Sequence, residues 1–306
     1  MRGNQFTPAW RAAQAFWGRI TRSHPQLPVR TTGGIGLALS GGFARGMAHI
    51  GVLRVLEREK IPVSWIGGVS AGSIVGAIYA AGADSRDLTA IARSMKFRDV
   101  AGWKPGRLGL AASERMEAFL RRSLKVHRFE QMRTPLAVVA TDLRSGEPIV
   151  FHTEGEVFTA IRASCAYPGL FHPVRHEGRY LVDGAMSMEI PAQALRELGV
   201  ANIVSVALAH APVSHEPTSM FSVVNRCFQI MQRRTEQQWR VYSDLVISPE
   251  VSAVTWDDFS SFDRLIAAGE KAAEQALPVL ERLAAGTAPA APDPLAAHSP
   301  LICCAR

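Results

Sequence analysis

The segment Gly68–Gly72 (GVSAG) constrains the fold of this chain more than any other feature, because it separates a strand from a helix. The apolar run Trp65–Val69 predicts a short buried strand, and Ser73–Gly82 predicts a helix of small residues that ends at a glycine. So sharp a turn needs small residues on both sides of its serine, and glycine and alanine supply them. The pattern predicts that Ser70 is a nucleophile beside the N-terminus of the following helix.

A second glycine-rich turn, Ser40–Gly46 (SGGFARG), lies between the apolar strand Ile35–Leu39 and a predicted helix. Consecutive glycines let backbone N–H groups point into a cavity, and Arg45 adds a positive charge at the start of the helix. The turn fits either a phosphate site or an oxyanion hole for acyl transfer. It lacks the Gly-Lys-Ser/Thr ending of a P-loop, and Phe43 interrupts the glycines of a dinucleotide fingerprint, which weakens the nucleotide interpretation. An ordinary tight turn is the third alternative.

The third motif is Tyr180–Ala185 (YLVDGA), in which an apolar strand delivers Asp183 onto a Gly-Ala turn. Open α/β sheets carry their sites at the carboxyl ends of their strands. Alone, such an aspartate is typical of a turn or a helix cap. Together with Ser70 and the glycine-rich turn, it predicts a buried general base that takes the proton of the serine hydroxyl.

The three motifs, in this order, resemble those of the patatin-like phospholipase family, bacterial type. Ala140–Leu143 with Gly146 and Glu147, and Ile161–Phe171, also resemble family segments. The resemblance is strong over residues 34–198 and continues weakly to about residue 285. It implies an α/β fold, with a single three-layer α/β/α domain around a mostly parallel central sheet.

The resemblance also implies an activity, the hydrolysis of lipid carboxylic esters as by a phospholipase A or lysophospholipase, without a metal or other cofactor. The substrate would be a lipid or fatty-acyl ester. The implied site has three groups of residues. Ser70 and Asp183 form a Ser-Asp dyad, and the oxyanion hole consists of Gly41, Gly42 and Phe43, in a loop supported by Arg45 and Gly46. The small residues of the serine and aspartate motifs are Gly68, Gly72, Gly184 and Ala185. Phe43 departs from the family, which has glycine there. Because positive φ is costly for a bulky residue, we expect a different bend of the loop and a ring directed toward the acyl pocket.

Two other functions fit parts of the pattern. An α/β-hydrolase esterase would use the same serine with a late histidine, for which His210, His215 and His298 are the candidates. A non-catalytic lipid-binding or regulatory protein would have the oxyanion loop blocked by Phe43. The presence of both Ser70 and Asp183 favours an enzyme over a pure binder.

Composition narrows the class of protein. A chain of 306 residues, 47% hydrophobic and 20% charged, is typical of a globular protein with one large core. The four cysteines have neither metal-ligand spacing nor a disulfide framework, which favours a reducing, cytoplasmic location. The nine histidines form no H-E-x-x-H pair, and no apolar run reaches the roughly 18 residues of a membrane span.

The net charge of +7 is concentrated at the N-terminus, where no acidic residue precedes Glu57. Residues 8–22 place tryptophans and other apolar residues on one helical face and arginines nearer the other. Such a helix favours peripheral contact with an anionic membrane surface, and the alternative is a helix docked on the catalytic domain or a frayed terminus. No nucleic-acid partner is expected.

The predicted organisation has four parts. Residues 1–30 form a basic amphipathic extension, 34–198 the catalytic core, 199–285 strands and helices packed on it, and 286–306 a disordered tail. Within them we expect a loop at Trp103–Leu110, in a segment that forms either a cap or ordinary surface packing. A helix from Phe262 to Ala285 would be bent or broken by Pro278. A second amphipathic helix would turn these residues to the core: Met220, Val223, Cys227, Ile230, Met231 and Trp239.

Overall fold

The computed structural model describes residues 34–208, 216–217 and 219–286. The predictions for residues 8–22, for His210, His215 and His298, and for the tail after residue 286 therefore lie outside the described residues. Ten strands are present in this part of the chain: β1 (Ile35–Leu39), β2 (Val63–Gly68), β3 (Gly102–Gly106), β4 (Gly109–Ala112), β5 (Leu136–Asp142), β6 (Pro148–Phe151), β7 (Val174–His176), β8 (Arg179–Asp183), β9 (Ile203–Val206) and β10 (Leu245–Ile247).

Helices follow most of these strands, as expected for α/β connections. Three short 3-10 turns also occur, at Phe43–Met47, Phe129–Gln131 and Gly184–Met186. The α-helices of the described residues are α1 (Ala48–Arg58), α2 (Ala71–Ala80), α3 (Ser85–Ser94), α4 (Phe97–Val100), α5 (Glu114–Ser123), α6 (Val157–Ser164), α7 (Ala192–Glu197), α8 (Met220–Arg240) and α9 (Phe262–Ala284).

Eight of the strands form one sheet, in which β10, β9, β1, β2 and β5 are parallel neighbours. Antiparallel strands complete it: β6 and β8 pair with β5, and β7 pairs with β8. Side chains of each strand alternate between two cores. In β1, Leu37 packs into the core shared with α1 and α9, whereas Ala38 packs with Leu195 of α7 and Trp239 of α8. Helices cover both faces, so the predicted three-layer α/β/α fold with a mostly parallel sheet is confirmed.

Two predictions about individual elements are wrong, one about the segment Trp103–Leu110 and one about helix α8. The segment Trp103–Leu110, expected to be a loop, belongs to the antiparallel hairpin of β3 and β4. Most side chains of the hairpin are exposed, so its sequence lacks the alternation of apolar and polar residues that predicts strands. The hairpin is fixed from outside, because the ring Nε2 of His172 lies 3.1 Å from the carbonyl oxygens of Lys104 and Gly109. Helix α9 is not broken at Pro278, since it continues through this residue to Ala284.

Helix α8 has the opposite orientation to the predicted one. Trp239 is buried, but the other five residues that we expected in the core are exposed. Its inner side instead carries polar residues such as Asn225, Gln229 and Gln232. The spacing correctly identified an amphipathic helix, but periodicity does not tell which face packs inward.

Candidate active site

Ser70 stands in a strained turn between β2 and α2. Its backbone has φ +52° and ψ −123°, a conformation that residues with a side chain rarely adopt. The flanking glycines make the turn possible. A Cβ on Gly72 would lie 2.4 Å from the carbonyl oxygen of Leu39, and one on Gly68 would lie 2.5 Å from the Cα of Ser73. The segment therefore has the strained strand–turn–helix geometry that is typical of a nucleophile elbow.

Two neighbouring serines hold this turn through its backbone. The N–H of Ser70 donates to Oγ of Ser164 at 2.9 Å, and Oγ of Ser73 donates to the carbonyl oxygen of Ser70 at 2.6 Å. Ser164 is the last residue of α6 and is fully buried. Ser164 belongs to none of the three motifs, although it lies in the segment Ile161–Phe171 that resembles the family.

Sheet topology brings Asp183 to Ser70. Val138 of β5 pairs with Gly68 on one edge and with Phe151 of β6 on the other, and Ala140 pairs with Asp183. Strand β6 pairs with one edge of β5 from Val138 to Thr141. Strands β2 and β8 therefore both pair with the opposite edge of β5, where they meet end to end. Asp183 thus lies just beyond the end of β2, where the elbow begins. Since β8 is antiparallel to β5, the rule for carboxyl ends of parallel strands does not explain this position.

The carboxyl group of Asp183 is buried and lacks full hydrogen bonding. Its Oδ1 accepts from the N–H of Ala185 at 2.9 Å, whereas Oδ2 has no hydrogen-bond partner among the described residues. Burial raises the pKa of Asp183 to about 7, against the opposing effects of the Ala185 N–H and the nearby Ser70 hydroxyl. A group with this pKa exchanges protons readily at neutral pH.

The glycine loop, Ser40–Gly46, passes directly over the serine. A Cβ on Gly41 would lie 3.1 Å from Cβ of Ser70, and Gly42 has φ +152°, which favours glycine. Within the described residues, the backbone N–H groups of Gly41, Gly42 and Phe43 make no hydrogen bond. Three N–H donors therefore remain available in a loop that approaches Ser70 at Gly41.

Two side chains hold the glycine loop in place through hydrogen bonds. The buried ring of His49 donates its Nε2–H to the carbonyl oxygen of Ser40 at 2.9 Å. Burial lowers the pKa of His49 to about 4, so the ring is neutral at pH 7 and carries its proton on Nε2. Arg45 donates from Nε to the carbonyl oxygen of Val254 at 2.8 Å. His49 was not among the predicted site residues, because a lone histidine in a helix gives no signal in one sequence.

Phe43 adopts the strained conformation that the sequence analysis considered costly, with φ +52°. Its ring packs edge-on against Tyr167 at 5.2 Å and against Trp256 at 5.0 Å between ring centroids. Aromatic pairs of this kind each contribute about 0.5–1.5 kcal/mol, which offsets the cost of the backbone. The loop therefore holds phenylalanine in a left-handed backbone conformation.

Two substitutions separate the strain at position 43 from the ring contacts. Both Phe43→Ala and Phe43→Gly remove the ring, but only alanine keeps a Cβ at positive φ. We expect the glycine variant to be more stable than the alanine variant by about 1 kcal/mol, the reverse of their usual order. Chemical denaturation of both variants measures the difference. Equal stability, or a more stable alanine variant, would contradict the strained turn.

The remaining predicted residues surround the same point. A Cβ on Gly46 would lie 2.6 Å from Cβ of Ala71, and one on Gly184 would lie 2.2 Å from the carbonyl oxygen of Val139. Both positions therefore require glycine for close packing. In the part of the chain that the structure describes, no group of three or more His, Cys, Asp or Glu residues is arranged to hold a metal ion.

Comparison with known proteins identifies the family. The sequence profile of the Patatin-like phospholipase family matches residues 37–196, more than half of the chain. The chain belongs to the patatin-like phospholipase family. This match spans both Ser70 and Asp183, and it confirms the resemblance drawn from the three motifs.

The relatives are much longer than this chain. Lysophospholipase nte1 of Aspergillus fumigatus is 30% identical over 206 residues, which are 65% of this chain and 13% of that protein. An uncharacterized NTE family protein of Mycobacterium bovis is 32% identical over 169 residues, 53% of this chain and 28% of that protein. Among solved structures, human GIVD cytosolic phospholipase A2 aligns with a TM-score of 0.49 at 10% identity, covering 94% of this chain and 66% of that one.

Proposed function

We propose that this protein is a serine acyl hydrolase that cleaves carboxylic esters of lipids. The observation that carries the proposal is that the hydroxyl of Ser70 lies near the buried carboxyl group of Asp183. Apart from that hydroxyl, Oδ2 of Asp183 has no hydrogen-bond partner among the described residues. A buried acceptor without a donor is costly, and such groups are found preferentially at functional sites. The names of the relatives, which include lysophospholipases, support a lipid ester as the substrate.

In the first half of the reaction, Oδ2 of Asp183 takes the proton of the Ser70 hydroxyl while Oγ attacks the ester carbonyl carbon. The negative charge that develops on the carbonyl oxygen is stabilised by the N–H groups of Gly41, Gly42 and Phe43. Collapse of the tetrahedral intermediate breaks the ester C–O bond. Asp183 then gives its proton to the departing alcohol, and an acyl group remains on Ser70.

In the second half, water replaces the alcohol. Asp183 takes a proton from the water as its oxygen attacks the acyl carbon, and the same N–H groups stabilise the second tetrahedral intermediate. Its collapse releases the fatty acid and returns the proton to Ser70. An ionised Asp183 is needed at the start of each half, and a pKa near 7 lets the same group act as a base and then as an acid at neutral pH.

A hydrolysis assay tests the activity. The purified protein is incubated with palmitoyl lysophosphatidylcholine, a monoglyceride and a short-chain nitrophenyl ester, and the acid released is measured. We expect release from at least the lysophospholipid. A folded protein that hydrolyses none of these and fails to react with a fluorophosphonate would favour the lipid-binding alternative instead.

The pH dependence of the reaction reports on Asp183. Because the carboxylate is the active form and its pKa is about 7, we expect kcat/KM for an uncharged ester to rise with pH and level off above that value. Initial rates between pH 5 and 9 measure the profile. A rise centred near pH 4, the range of an ordinary carboxyl group, would mean that the base is solvated or is another residue.

A further inference from the structure

The outer face of α8 carries an apolar stripe made of Met220, Val223, Val224, Cys227, Ile230 and Met231. The residues recur every three or four positions, so they form one continuous surface. Met220 is 85% exposed, Met231 59% and Ile230 52%. Nothing in the described part of the chain covers them. A contiguous apolar surface of this kind is typical of an interaction site.

The stripe lies beside the candidate active site. On the inner side of the same helix, Asn225 accepts a hydrogen bond from the hydroxyl of Tyr167 at 2.7 Å, and Phe228 packs against its ring with centroids 5.6 Å apart. Tyr167 in turn contacts Phe43 of the glycine loop. Helix α8 therefore forms part of the wall around the loop, with its apolar stripe facing away from the protein.

The hairpin of β3 and β4 presents a second apolar surface next to the same segment. Trp103 is 71% exposed and Leu108 59%, and Leu110 is exposed as well. The hairpin is attached through Ala111, which forms a β-bridge with Phe171, four residues after Tyr167. Helix α8 and the hairpin thus contact the two ends of the segment Tyr167–Phe171, which begins beside the candidate active site.

Both elements are basic. The hairpin contains Lys104 and Arg107 and no acidic residue. Helix α8 contains one acidic residue, Glu236, which is ion-paired with Arg240, and three further arginines, Arg226, Arg233 and Arg234. Exposed aliphatic and tryptophan side chains among arginines and lysines are typical of protein surfaces that bind to the headgroup region of an anionic bilayer.

We propose that the apolar stripe of α8 and the β3–β4 hairpin dock the protein onto an anionic phospholipid membrane, with the active site next to the lipid. The role of docking in delivering substrate rests on the function proposed above, but docking itself does not require hydrolysis. The alternative occupants of the stripe are a second copy of the chain and residues 1–33. The basic charge and the nearby tryptophan favour a lipid surface over either.

The exposed Cys227 in the middle of the stripe allows a direct test. The full chain is prepared as Ser70→Ala, Cys303→Ser, Cys304→Ser, and Cys227 is labelled with the fluorophore NBD, because Cys165 is buried. The protein is mixed with vesicles of phosphatidylglycerol and phosphatidylcholine in equal amounts. We expect NBD emission to shift to the blue and to be quenched when the lipids carry bromine on their acyl chains.

Two results with this probe would overturn the proposal. Emission that does not respond to anionic vesicles means that the stripe stays in water. Emission that is already shifted to the blue before vesicles are added, and does not change with them, means that the chain itself or a second copy covers the stripe. The Ser70→Ala background keeps the lipid intact, so a failure of docking is distinguishable from a failure of the hydrolytic function.

A variant with a charge-matched control completes the test. Ile230→Asp with Met231→Asp changes the net charge by two at the stripe, and Lys271→Glu makes the same change on α9. We expect the double variant to partition into anionic vesicles at least about tenfold more weakly, and the control to match the parent protein. When the same substitutions are made in the chain that keeps Ser70, hydrolysis of a water-soluble ester should be unchanged in both. Unchanged partitioning of the double variant, with or without dissociation of an oligomer in size-exclusion chromatography, would refute docking through the stripe.

Discussion

Replacing Ser70 with alanine is expected to abolish labelling by a fluorophosphonate and to reduce ester turnover by about 10⁴–10⁶-fold, with the fold retained. The reason is that the acyl-enzyme intermediate cannot form without Oγ, and the residual rate reflects only binding and the N–H donors of the glycine loop. Labelling of the purified wild type and variant, followed by a lysophospholipid assay, measures both effects.

The matched control is Ser73→Ala. This second buried serine lies one helical turn further along, and its hydroxyl donates to the carbonyl oxygen of Ser70 and lies 3.9 Å from Sγ of Cys165. We expect the Ser73 variant to keep its labelling. Equal labelling of wild type and the Ser70 variant would place the reactive serine elsewhere, and no labelling of folded wild type would refute the activated nucleophile.

Replacing Asp183 with asparagine is expected to lower turnover by about 10⁴-fold and at the same time to stabilise the fold at alkaline pH. Asparagine has nearly the same shape and keeps an oxygen for the N–H of Ala185, but it cannot take the proton of Ser70. Retained activity in this variant, with loss of activity in His210→Ala, would favour the Ser-His-Asp alternative.

The effect on stability follows from the pKa of Asp183, which burial raises from the usual 3.8 to about 7. Between these two pH values the native state holds a proton that the unfolded chain has lost, so the free energy of unfolding falls as pH rises. Above pH 7 the wild type carries a buried charge that costs on the order of 4 kcal/mol at most. Asparagine carries no charge at any pH.

Thermal unfolding at pH 4 and pH 8 measures this difference. Relative to wild type, the Asp183→Asn variant should gain stability on going from the lower to the higher pH. The control is Asp263→Asn, because Asp263 is exposed at the start of α9 and forms only a surface ion pair. A stability difference that does not depend on pH would mean that Asp183 has an ordinary pKa in the folded protein.

Much of the sheet was predictable because its strands are short apolar runs between strong turn residues. The prediction located β1, β2 and β8 to within a few residues. The elements that it missed, β7 and the β3–β4 hairpin, expose polar or large apolar side chains and are held by contacts distant in sequence. No local pattern marks such strands.

The sequence by itself determined the family, the strand–turn–helix around Ser70 and the residue types of the site, because a sharp elbow admits few residues and the motifs occur in a fixed order. Only the tertiary structure decided how Asp183 reaches the serine, since the shared edge of β5 depends on pairings between residues far apart in the chain. It also decided that the apolar stripe of α8 faces outward. Helical periodicity in the sequence shows that the two faces of the helix differ in polarity. Only packing against the rest of the protein determines which of the two is buried.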